Sequence, residues 1–121
     1  MNYTTIEQSK KLLELGLSSE SADMFWFRDD TEIPRVFPKD MMHDSASVTY
    51  PCWSIEALLK LLQPNANLVC ERKQYFVIYR GALFQGSTYN YDSPIDALVE
   101  MVSYLLENNY LKTEKQYDTR R

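Results

Sequence analysis

A protein nucleophile needs a base beside it, and this sequence has one histidine, His43, and two cysteines, Cys52 and Cys70. Cys52 with His43 is the pairing that acyl-transfer chemistry would favour, yet no Ser-His-Asp or Cys-His pattern can be read from the spacing. Neither cysteine belongs to a Cys-x-x-Cys pair, so each is read as a small buried hydrophobe. His43, between Met42 and Asp44, is read as a solvated loop side chain. A structural zinc wants about four Cys and His ligands, and three such residues exist in the whole chain. Asp29, Asp30 and Glu32 could hold a divalent cation weakly, but the ligand spacing of a calcium loop is missing and adjacent carboxylates are the common stuff of turns. With glycine limited to Gly16, Gly81 and Gly86, no phosphate-cradling loop can be written. The expectation is therefore no catalytic residue, no metal site, no cofactor and no enzyme. An enzyme centred on Cys52, His43 and the acidic loop is the remote alternative.

Binding chemistry is better supplied. Aromatic residues make up 13% of the chain, more than one face of a small core absorbs. A strand that turns Tyr75 and Tyr79 inward must show Phe76 and Ile78 on its other face. Exposed aromatics rimmed by charge form protein contacts, so Phe25, Trp26, Phe27, Trp53, Tyr75 and Tyr79 are the predicted partner-binding residues, toward an unknown protein or a second copy. The competing reading is that helical layers cover both faces of the sheet. Stacked tyrosines could also receive single-stranded RNA bases, which charge disfavours.

That charge is −4 overall, and four basic against two acidic side chains in the last ten residues leave residues 1–111 at −6. An acidic body repels phosphate, so nucleic acid is an unlikely partner. The alternative to a protein-binding function is a nucleic-acid accessory role carried by the basic tail, through Lys112, Lys115, Arg120 and Arg121. No stretch approaches the roughly 20 apolar residues of a membrane span, the first residues lack the basic flank and apolar segment of a secretory signal, and two cysteines are few for a small secreted domain. A cytoplasmic protein without membrane contact is expected. At 121 residues the chain can bury one core without disulfides, giving a single globular domain over 1–111 and a polar, flexible tail over 112–121.

The elements that must position these residues follow from caps and periodicity. Thr5 and Gln8 form a capping-box pattern that opens a helix to Leu15, stopped by Gly16 with Leu17 folding back. Ser18 or Ser19 is read as the cap of a second, short helix through Met24, making a helical hairpin that runs into Phe25-Trp26-Phe27. From Arg28 to Pro51 periodicity is lost, Pro34, Pro38 and Pro51 interrupt any helix, and a long loop is expected, either a functional excursion or an ordered coil pinned by Ile33, Val36 and Phe37. Ser54 caps a helix whose Ile55, Leu58, Leu59 and Leu62 share a face, ended by Pro64. The one strand-rich stretch comprises Leu68–Cys70, Tyr75–Tyr79, Ala82–Phe84 and Ser87–Tyr89, with turns at Glu71–Gln74 and Arg80-Gly81. A last helix starts at Asp92 or Ser93 with Pro94 in its first turn and buries Ile95, Leu98, Val99, Val102 and Leu106. The fold class is α+β, a small antiparallel three-stranded sheet against about four helices.

Four segments carry a likeness to known sequences: Ile6 through Leu17, Ser21-Ala22-Asp23-Met24, Pro51 through Leu59, and Pro94-Ile95-Asp96-Ala97 through Leu105-Leu106-Glu107-Asn108. Together they resemble a family of small uncharacterised proteins of gut Bacteroidales genomes, phages and mobile elements. Pro-x-Trp-Ser followed by an amphipathic helix is the most specific part. The resemblance spans most of residues 5–111, leaves out the segment between Arg28 and Tyr50, and implies no activity. It fits a non-enzymatic accessory or regulatory protein of phage or mobile-element origin.

Overall fold

The computed structural model describes residues 2–28, 34–39 and 48–111. Helix α1 spans Ile6–Glu14, and Thr5 and Gln8 close the expected capping box, the Gln8 amide donating to Thr5 Oγ1 and the Thr5 amide to Gln8 Oε1, each at 3.0 Å. Its exit is fixed by Gly16 at φ 101°, a left-handed conformation that costs a residue with a Cβ about 1–2 kcal/mol. Two bonds close the stop, Leu17 N–H to Leu12 O and Gly16 N–H to Leu13 O, both at 3.0 Å. Leu17 is thereby folded onto buried Leu12.

The next segment corrects the expected second helix. Ser18 caps only one 3₁₀ turn, Ser19–Ser21, and Ala22 is already extended. Met24–Arg28 is strand β1, which pairs antiparallel with β2 (Arg35–Pro38) and β3 (Val48–Cys52) in the order β2-β1-β3. A five-residue helix would give Phe25, Trp26 and Phe27 no common face, whereas a strand pairs each across the sheet, opposite Phe37, Val36 and Arg35 on one side. Pro38 and Pro51 bar a helix but not an edge strand, where a missing N–H faces away from the ladder. Both β2 and β3 are edges. Within the expected loop from Arg28 to Pro51, the described residues thus supply two of the three strands of a second sheet. Ile33 lies outside the described residues.

Helix α2 (Ile55–Leu62) starts at Ser54, whose Oγ accepts the Ala57 amide at 3.1 Å. Strands β4 (Ala66–Glu71), β5 (Gln74–Arg80) and β6 (Gln85–Ser87) form the expected antiparallel meander. The third strand is shifted from the expected Ala82–Phe84. Arg80 pairs with Gln85, so Gly81–Phe84 form the hairpin loop, closed by Gly81 N–H donating to Phe84 O at 2.9 Å. Thr88 and Tyr91 continue beside β5, through bonds to Val77 and Tyr75. Helix α3 (Pro94–Glu107) is capped by Ser93, with Pro94 in the first turn. It packs against β5, α2 and α1, while α1 packs against β3. The fold is α+β with two three-stranded antiparallel sheets and three α-helices among the described residues, where the sequence suggested one sheet and about four helices.

The β4–β5 turn is made by Arg72 (φ 53°) and Lys73 (φ 65°), between paired Glu71 and Gln74. Two left-handed residues in a two-residue hairpin loop suit Asn-Gly rather than long side chains. Replacing Arg72-Lys73 by Asn-Gly is expected to add about 1 kcal/mol of stability, which raises the melting midpoint by about 4 °C. A thermal melt with an unchanged or lower midpoint would contradict this.

Candidate functional site

The six aromatics singled out by the sequence are dispersed by the fold. Trp53 is 0% exposed, its indole N–H donating to Ser21 Oγ at 2.8 Å. Phe25 and Tyr79 are also buried. Trp26 is half-buried, donates its indole N–H to the Thr4 carbonyl at 2.8 Å, and meets the Tyr3 ring edge-on. Half-buried Phe27 lies edge-on to Phe37, and Tyr75 packs against the core cluster. Phe25, Trp26 and Phe27 stand in the first sheet and Tyr75 and Tyr79 in the second, so the fold does not bring the six together as one surface. Trp53 has no exposed area, Tyr79 packs in the core cluster, and nearly buried Phe25 borders a shallow groove between the 3₁₀ turn, β1 and β3.

The segment Pro51-Cys52-Trp53-Ser54 has a structural reason for each residue. Pro51 sits in an edge strand, Cys52 and Trp53 are fully buried, and Ser54 caps α2 while donating its hydroxyl to the Asp23 carboxylate. Buried Thr4 ties this junction together. Its amide donates to Trp53 O at 2.9 Å, and its Oγ1 accepts the Trp53 amide at 3.0 Å and lies 2.8 Å from Ser9 Oγ. The Cys52 thiol, 3.5 Å from the Thr4 carbonyl, is pushed up to about 11, first by burial and further by the negative charge of Asp23, against the lowering effect of its bonds to Thr4. A thiol protonated at neutral pH is a poor nucleophile. His43, Asp29, Asp30 and Glu32 lie outside the described residues, as do Lys112, Lys115, Arg120 and Arg121. Among the described residues no three metal-ligating side chains converge, and no helix is long and apolar enough to cross a membrane. Cys70 is exposed on β4.

Another set of side chains does converge. The exposed large hydrophobics among the described residues are Leu83 (75%), Tyr89 (80%) and Tyr104 (41%), two of them beside Phe84 in space and the third its neighbour in sequence. Leu83 is at the β5–β6 hairpin tip beside Phe84, and Tyr89 and Tyr104 line one groove of about 480 Å³ with it. Phe84 and Tyr104 have ring centroids 4.8 Å apart, Phe84 and Tyr110 stack at 5.5 Å and 13°, and Tyr104 and Tyr110 are 6.5 Å apart. Two local devices hold this stack. Phe84 rests on bare backbone, because a Cβ at Gly86 would come within 2.6 Å of its Cζ. Tyr110 is turned back by Asn109 at φ 61°, with Tyr110 N–H donating to Leu105 O at 2.8 Å and Asn109 N–H to Leu106 O at 3.2 Å.

Beside the stack, one face of α3 carries Asp96, Glu100, Tyr104 and Glu107, three or four residues apart, with buried Ser103 at its edge. With Gln8 and Lys11 of α1 and with Tyr91 they line a cleft of about 440 Å³. Gln8 Nε2 donates to Asp96 Oδ1 at 2.8 Å and joins the two helices there. The Tyr91 hydroxyl is pushed up to about 12, chiefly by donating to the Glu100 carboxylate, then by burial and the charges of Glu100 and Asp96. Glu100 and Tyr104 line both the groove and the cleft.

Tyr91 and Cys52 make the fold sensitive to alkali. Both are neutral when protonated, and the unfolded chain releases their protons at lower pH than the folded one. Their contribution is complete below about pH 9 and is lost as pH rises, between 9 and about 11 for Cys52 and between 10 and about 12 for Tyr91. Urea midpoints measured against pH are expected to fall above pH 9, with Cys52→Ala flattening the first part of that fall. An unaltered slope in the variant would contradict the assignment.

Comparison with protein-family models, with curated proteins and with solved structures finds no match.

Proposed function

We propose that this chain is a non-enzymatic accessory or regulatory protein that binds another protein through the surface formed by Leu83, Phe84, Tyr89, Tyr104 and Tyr110. The observation that carries this reading is the grouping of exposed Tyr89 and Tyr104 with Phe84 along one groove, with exposed Leu83 next to Phe84 in the hairpin loop, while Trp53, Phe25 and Tyr79 are packed away. Water-facing apolar area of this kind is unfavourable for an isolated chain, at roughly 25 cal/mol per Å², and clustered aromatics are what protein contacts use. An apolar hairpin tip adds to it, since turns ordinarily carry Gly, Asn, Asp or Pro. The partner-binding role expected of the interior aromatics passes to these residues. Membership of the Bacteroidales family, with its phage and mobile-element setting, is part of the same proposal and brings no activity with it.

Site-specific photo-crosslinking in the native host tests the reading. A photoreactive amino acid at Leu83 is expected to give one discrete adduct, and the same group at Asn67, exposed on the far edge strand β4, none. Light scattering of the purified chain identifies a second copy if that is the partner. Equal crosslinking from both positions, or none from Leu83, would remove the proposal.

A further inference from the structure

The cleft next to the aromatic stack is acidic on its open side. Asp96, Glu100 and Glu107 face it with Lys11 as the one cation among its lining residues. Acidic residues alone specify nothing, but two atoms here are out of balance. Ser103 is 4% exposed and its Oγ has no hydrogen-bond partner. A helical serine usually bonds the carbonyl four residues earlier, and this one does not. Glu100 Oε1 is likewise buried and unpartnered. Leaving such groups unpaired is unfavourable by about 1–3 kcal/mol each, and more for a charged one. Both belong to residues that line the cleft, and Tyr104 at its rim offers a ring face that a cation can stack on.

Resting on the reading of the aromatic stack as a docking surface, we infer that the partner places a basic side chain, an arginine guanidinium or a lysine ammonium, into the cleft beside it. The group supplies donors and positive charge where the protein has unpaired acceptors and an excess of negative charge. Arginine suits the site best, because its planar fork of donors matches the Glu100 carboxylate, Ser103 lies one turn along the same cleft, and its flat face can cover Tyr104. The partner segment is then an apolar residue seated on Phe84 and Tyr89 with an arginine a short distance along it.

The test compares a short Leu- and Arg-containing peptide with a twin in which citrulline, neutral and of the same shape, replaces arginine. Each is titrated into the full chain at low ionic strength, with amide NMR shifts as the readout. The arginine peptide is expected to shift Glu100, Ser103 and Tyr104 and to bind on the order of tenfold tighter than the citrulline twin. Glu100→Gln should remove most of that difference, while Phe84→Ser should weaken both peptides alike. If both peptides bind the stack equally and Glu100→Gln changes nothing, the basic-residue inference is wrong and the docking surface stands. If neither shifts Phe84 or Tyr104, both fail. Agmatine binding as tightly as the peptide would overturn a partner side chain in favour of a small free amine. Tighter peptide binding after Lys112, Lys115, Arg120 and Arg121 are changed to glutamine would overturn it in favour of the chain's own basic tail.

Discussion

Trp53→Ala is expected to destabilise the fold by about 3–5 kcal/mol, the range for truncating a large buried aromatic. Trp53 heads the fully buried side chains by volume. Its indole N–H bonds Ser21, whose hydroxyl in turn donates to the Ser18 carbonyl at 2.7 Å, so one side chain fixes the 3₁₀ turn to the β3–α2 junction. Domains of this size have about 5–15 kcal/mol in total, so the variant should lose a large part of that margin and unfold at a clearly lower urea concentration. Trp53→Phe keeps much of the filling and loses the indole donor and part of the volume, for an expected loss of about 1–2 kcal/mol. Urea unfolding followed by circular dichroism checks both. A wild-type midpoint for Trp53→Ala would mean that the interior placement is wrong. Trp53→Phe should leave partner capture intact, which separates this tryptophan from the binding surface.

The three helices were legible because each carries its own local signals. Thr5 with Gln8, Ser54, and Ser93 with Pro94 are caps that act within four residues, and Leu12, Leu58 and Leu98 each stand on the apolar face of their own helix. The meander was legible from Tyr75–Tyr79 and its charged turn. The first sheet was not, because its pairing partners are far apart in sequence and its own prolines obscure it. Pro38 faces Met24 and Pro51 faces Phe25 across the ladder. Proline at an edge strand gives the same sequence signal as proline in a loop. Ser18-Ser19-Glu20 read as a helix start for a similar reason, since Ser18 does accept the Glu20 amide, at 3.2 Å, but for one turn only.

The binding surface was less legible still. Aromatic surplus correctly signals that some rings lie outside the core, but residue type does not say which ones. Three of the six predicted residues are interior because neighbouring elements remote in sequence cover them: Trp53 meets Ser21, and Phe25 is 5.8 Å from Phe37. The positions that converge had fainter marks. Tyr104 interrupts the polar stripe of α3 with an aromatic, Leu83 places an apolar residue in a four-residue hairpin loop, and Asn109 before Tyr110 is a left-handed helix stop that aims the tyrosine back. Glu100 and Ser103 carried no mark beyond their spacing, since an unpaired buried oxygen depends on every neighbour being known.

The double change Phe84→Ser with Tyr104→Ser should have the second large effect. Aromatics at the centre of an interface are worth at least about 2 kcal/mol each when truncated, so capture of the crosslinked partner should weaken on the order of 1000-fold. Tyr104 is 41% exposed and Phe84 lies over Gly86 at the rim. Phe84 also packs on the core and stacks on buried Tyr79, ring centroids 6.2 Å apart, so stability should fall by about 1–3 kcal/mol, short of unfolding the chain. The two quantities measured side by side on this double variant, partner affinity and urea midpoint, decide whether the stack is a binding surface or a lid on the core. Affinity lost while the urea transition stays cooperative and only modestly lowered is the expected result. A midpoint that collapses while the partner is still bound would contradict it.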